Sequence, residues 1–132
     1  MSPLTIRCIK AAFLALAAGI LLGALFAINR PLGAVLRPLH AELNLWGWTT
    51  LLIYGMAYHM LPRFTGRPLR RLQLANLQSW LAIAGVVLAS LGWALLPALP
   101  EAGRPLMALG GIVQLVAAIG FALLAAELLR AR

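Results

Sequence analysis

His40 and His59 are the two histidines of this chain, and both lie in one apolar stretch, HAELNLWGWTTLLIYGMAYHMLPRFTG, residues 40–66. Imidazole is the commonest metal ligand and the side chain that titrates nearest neutral pH, so metal binding is the first chemistry to test. The two rings are 19 positions apart. On a helix that is roughly 28 Å along the axis and about 100° around it. They cannot share one ion within a chain, and each needs a partner ligand from elsewhere. Met56, Met60 and Met107 offer soft donors but no ligand-like spacing. The lone Cys8 excludes an intrachain disulfide and reads as an inert interfacial thiol. No nucleophile–base pair, phosphate loop or paired carboxylates stand out, which argues against a hydrolase or transferase.

His40, Asn44, Gly47, Leu51, Gly55 and Tyr58 follow the 3–4 spacing of one helical face. Histidine, asparagine and two glycines there make a polar groove of low relief, suited to a flat ligand or to another helix. If His40 lies in the first turn, the positive end of the helix dipole favours its neutral form, which can bind a metal. Arg30 and Arg37 lie just before it and could pair with anionic groups. His59, beside Tyr58 and Arg63, is a second candidate ligand. It is equally explained as an amphipathic ring at a membrane interface.

The elements that position these residues are read from charge. Of 132 residues, 63% are hydrophobic and 11% charged, against about 25% charged in soluble domains. Residues 11–28, 43–62, 72–100 and 105–126 contain no Asp, Glu, Lys or Arg. A spanning helix needs roughly 20 mainly apolar residues. The expected fold is therefore an all-α membrane protein. It is one domain, a bundle of four transmembrane helices near 9–28, 38–62, 74–96 and 105–129. The first run has 18 residues, longer than the roughly 7–15 of a signal-peptide core, and no clear cleavage site follows, so it is expected to stay in the mature chain.

Arg7, Lys10, Arg63, Arg67, Arg70, Arg71, Arg130 and Arg132 fall on one side of that bundle, against Arg30, Arg37 and Arg104 on the other. The positive-inside rule then predicts cytoplasmic termini in a bacterial inner membrane. It also accounts for the net charge of +8 without nucleic acid. His40 is placed near the outer surface and His59 near the inner one.

Ala11, Ala15, Gly19, Gly23 and Ala27 form a small-residue stripe on the first helix, suited to an oligomer contact or to packing within the bundle. Pro38 is expected to open the second helix, with Pro31 the earlier alternative. No repeat or heptad array is visible. Glu42 reads as a first-turn acid favoured by the helix dipole, and Gln114 as an interhelical hydrogen-bond former. Asn76 and Gln78 read as headgroup contacts, Glu127 as a solvated neighbour of Arg130, and Glu101 as a loop residue.

The segment LHAELNLWGWTTLLIYGMAYHMLPRFTG, residues 39–66, resembles the second helix of subunit I of the haem–copper oxidases. The shared pattern is an outer histidine, a Gly-Trp, a glycine further on and an inner Pro-Arg followed by glycine. The resemblance implies that His40 is an axial ligand of haem b. Asn44, Gly47 and Tyr58 would lie on its face, with Arg37 and Arg30 near the propionates. It implies electron transfer or diatomic-gas sensing beside a respiratory-chain partner. Glu42 stands where family members often carry a second histidine. The later helices that bear the oxidase's copper and high-spin haem ligands have no counterpart, so one chain holds no binuclear centre and is not expected to be an oxidase alone. The family's twelve helices form three arcs of four, which suggests a homotrimer; a dimer sharing haem between two His40 rings is the simpler form. Two alternatives remain. One is a copper or zinc site using His40 with Glu42 or the methionines. The other is a cofactor-free membrane subunit that assembles or stabilises a respiratory complex.

Overall fold

The computed structural model describes residues 1–130, and helices dominate them, with no strand among the described residues. Helix α1 spans Pro3–Ile28. Ser2 caps it by accepting from the Thr5 amide at 3.2 Å, and Pro3 occupies the first turn, where a missing N–H costs nothing. Helix α2 spans Arg30–Glu42 and follows after one residue, because the Asn29 side chain accepts from the Leu32 amide at 3.1 Å. The second helix thus begins at the Pro31 alternative. Pro38 lies inside α2 rather than at its start.

The chain then continues without a break through a π-helical segment, Leu43–Thr50, into α3, Leu51–Thr65. Glu42 and Thr50 keep right-handed helical dihedrals at the two joins. In the wider π turn, the Thr49 and Thr50 hydroxyls donate to the Asn44 and Leu45 carbonyls five residues back, at 2.9 and 2.8 Å. The rod ends at Gly66, whose φ of 64° is open to glycine at no steric cost. Helix α4 spans Leu72–Leu95 and α5 spans Pro100–Leu129.

Helices α1, α4 and α5 are each long and apolar enough to cross a membrane, with mean hydropathies of 2.5, 1.6 and 2.3 over their best windows. These are the marks of an integral membrane protein.

Helices α4 and α5 form an antiparallel hairpin with the closest interface in the molecule. On α4 the buried residues include Ala75, Gln78, Ala82, Gly85, Ala89 and Gly92; on α5 they include Gly103, Gly110, Gln114, Ala117 and Leu124. The α4 set steps alternately by three and four, and on α5 Gly103, Gly110, Ala117 and Leu124 recur every seven residues, with Gln114 between. This is a heptad seam, and it corrects the expectation that none exists. It is written in side-chain size rather than polarity: the lipid-facing positions are as apolar as the seam, so only the small residues mark it. A Cβ on Gly110 would lie 2.7 Å from the Ala89 Cα, and one on Gly92 would lie 2.7 Å from the Met107 Cα.

Helix α1 packs antiparallel on the rod in the same way. Gly47 faces Ala15, and Gly55 faces Cys8. The small stripe of α1 is therefore a packing surface within the chain. Tyr54 and Tyr58 close the other side of the rod against Phe121, with ring centroids 4.3 and 5.5 Å apart.

Gly110→Val should lower stability by roughly 1–3 kcal/mol, the usual cost of overpacking. Gly111→Val should change it far less, because nothing among the described residues lies within 4 Å of a Cβ at Gly111. Thermal unfolding of the detergent-solubilised variants checks the contrast.

Candidate functional site around His40

His40 lies in the last turn of α2, half-buried against α1. Its Nδ1 is 2.9 Å from the Gly19 carbonyl oxygen. A carbonyl only accepts, so Nδ1 carries the proton and donates. The lone pair then belongs to Nε2. The ring is held on further sides. Phe26 lies 5.6 Å away, centroid to centroid. A Cβ on Gly23 would come within 2.9 Å of Cε1. Asn44 donates from Nδ2 to the His40 backbone carbonyl at 2.8 Å, and the same nitrogen lies 3.5 Å from Nε2. Gly19 and Gly23 thus let the imidazole reach the α1 backbone.

His40 does not lie in a first turn as expected, because α2 begins ten positions earlier, at Arg30. The ring's orientation comes from the Gly19 carbonyl instead. The polar face meets a helix and not an open groove. A Cβ on Gly19 would lie 2.6 Å from the Asn44 amide nitrogen, and one on Gly47 would lie 2.5 Å from the Ala15 Cβ. Asn44 and Gly47 are therefore covered by α1.

Tyr58 is not brought to His40. Its hydroxyl donates to Gln78 Oε1 at 2.9 Å, and Gln78 Nε2 donates to the Ala117 carbonyl at 3.0 Å. This buried relay joins α3, α4 and α5. Gln78 is 4% exposed, which corrects its assignment to the headgroups. Arg30 and Arg37 are exposed on α2, and His59 is partly exposed on α3, away from His40.

Glu42 is also corrected. It ends α2 rather than starting it, is 9% exposed, and accepts a hydrogen bond from Gln114 Nε2 across the bundle. Gln114 thereby makes the interhelical bond expected of it. Glu101 lies in the first turn of α5, not in a loop. Glu127 is partly exposed, as expected, and pairs with Arg71 at 3.5 Å.

Among the described residues, no group of three or more His, Cys, Asp or Glu side chains is placed to hold a metal ion. For haem, the fit is divided. His40 presents a single orientable nitrogen, as axial ligation needs, whereas the face beside it is filled by α1 within the chain. Compared with protein-family models, curated proteins and solved structures, the chain matches none. The oxidase resemblance rests on residues 39–66 alone.

Replacing Glu42 by Leu should leave the Gln114 amide without its acceptor, and Gln114→Leu should strand Glu42. The double variant should recover part of the loss, with a coupling of about 0.5–3 kcal/mol. A double-mutant cycle of unfolding free energies in detergent measures it; strict additivity would mean the two groups do not interact.

Proposed function

We propose that the chain is an integral membrane haem b protein of four spans, with both termini cytoplasmic, in which His40 Nε2 is the axial ligand. The rod from Arg30 to Thr65 is the fourth span. The observation that carries this reading is the Nδ1–H bond from His40 to the Gly19 carbonyl. A metal-ligating histidine characteristically donates its other ring N–H to a carbonyl or carboxylate, which fixes the tautomer and raises ligand basicity. The oxidase resemblance points to the same residue.

When bound, haem would supply a one-electron iron couple or a site for a diatomic gas. This chain's residues have simpler tasks. Gly19 holds the proton on Nδ1. Asn44 anchors the His40 backbone, and Gly23 leaves room for the ring. Arg37, one turn before His40, and Arg30 offer exposed guanidiniums to propionates. With α1 over Asn44 and Gly47, these two support the ligand rather than wall a pocket. With His40 the one imidazole at this site in a chain, a second axial ligand would come from a second copy, as a dimer or as a trimer of twelve helices.

A second reading is a cofactor-free membrane subunit of a respiratory complex. The filling of the polar face by α1 favours it. Oxidised and dithionite-reduced absorption spectra of the purified protein separate the two. The haem reading expects a Soret band that shifts on reduction, persists in His59→Ala and vanishes in His40→Ala. A colourless wild-type protein, still colourless after haem addition, would leave the second reading. Reporter fusions at the two termini should both report the cytoplasm; an external terminus would overturn the topology.

A further inference from the structure

We propose that the groove between the N-terminal part of α1 and the start of α4 binds an anionic phospholipid. Ile6, Arg7, Lys10, Leu14, Trp80 and Ile83 line it, and its volume is about 550 Å³. This inference rests on the reading of the chain as a membrane protein but not on haem.

Arg7 is the centre of the site. Its Nη2 donates to Asn76 Oδ1 at 3.0 Å and to the Ser79 hydroxyl. Its guanidinium carbon lies 4.4 Å from the Trp80 ring centroid, and its Nε is buried, with no hydrogen-bond acceptor among the described residues. The guanidinium is thus fixed by two hydrogen bonds and an aromatic face. Planar, pre-organised guanidinium suits a phosphate. Lys10, one turn on, is exposed, and the Met1 end of the chain also borders the groove. Among the described residues, no acidic side chain lines it. The positive-inside rule accounts for the presence of Arg7 and Lys10 at this end. It does not account for tying Arg7 down across two helices.

The polarity runs in one direction. Arg7 meets Asn76 and Ser79, and further along the same helices lie Leu14 and Ile83. Cations at one end and apolar side chains toward the bilayer interior match a lipid, with its headgroup at Arg7 and Lys10 and an acyl chain along Leu14 and Ile83. Basic pockets between helices on the cytoplasmic side suit anionic headgroups, and tryptophan is common at headgroup depth.

Native mass spectrometry of the detergent-solubilised protein, with equal amounts of phosphatidylglycerol and phosphatidylcholine, tests this. Wild type should retain phosphatidylglycerol preferentially. Lys10→Gln and Arg7→Gln should each reduce that preference about fivefold, the effect of one interfacial charge. Arg63→Gln, at the same end of the bundle but outside the groove, should leave it unchanged. If Arg7→Gln does not fold, the exposed Lys10 variant carries the test. Equal retention of both lipids by wild type, or an undiminished preference in Lys10→Gln, would overturn the proposal. Failure of the membrane reading looks different: the protein would then be recovered without detergent in the soluble fraction.

Discussion

Close approach of helix backbones is the constraint on which the rest of this molecule depends. The surfaces of α1, α4 and α5 carry exposed Leu, Ile, Val and Phe side chains all along their length. In lipid, such surfaces gain nothing by turning inward, so apolar burial cannot choose which faces meet. Missing side chains choose instead. Gly85, Gly92, Gly103 and Gly110 bring α4 and α5 to backbone contact, while on α1 and the rod Gly19 and Gly23 make room for the Asn44 and His40 side chains and Gly47 and Gly55 for Ala15 and Cys8. Dispersion contacts then add along two seams.

That closeness decides what the polar residues can reach. Tyr58 and Gln78 link α3 and α4 and end on the Ala117 carbonyl of α5. Glu42 and Gln114 bridge the rod and α5, and Arg7 bridges α1 and α4. An unpaired polar group in an apolar interior is costly, so each bridge also fixes the relative rotation of the helices it joins. His40 belongs to the same system. Its ring reaches the Gly19 carbonyl only because positions 19 and 23 have no side chain. The geometry that would prepare Nε2 as a ligand is thus a by-product of how α1 packs. The same packing closes the face on which a flat ligand was expected.

Charge-free runs made α1, α4 and α5 legible, since length and composition suffice to define an apolar helix. Their ends were less so. The N-terminal turns holding Arg7 and Glu101 are helical despite their charge. The start of α2 depended on whether Asn29 caps, a local bond that composition does not show. The heptad seam was present in the letters but not in their polarity. Within the candidate site, the 3–4 spacing correctly grouped His40, Asn44 and Gly47 on one face. Tyr58, on the same spacing, sends its hydroxyl to Gln78 of α4.

The sequence alone determined the helical class, the three long apolar helices and the positions of the histidines along the rod. These depend on local propensity, run length and axial rise, all properties of neighbours in the chain. Only the tertiary structure decided that α1 covers Asn44 and Gly47, that Glu42 is buried against Gln114, and that Arg7 is fixed beside Trp80. Each of these depends on which side chain a second helix presents at a given height. That is set by where glycine and alanine let two backbones meet, many residues apart in the chain.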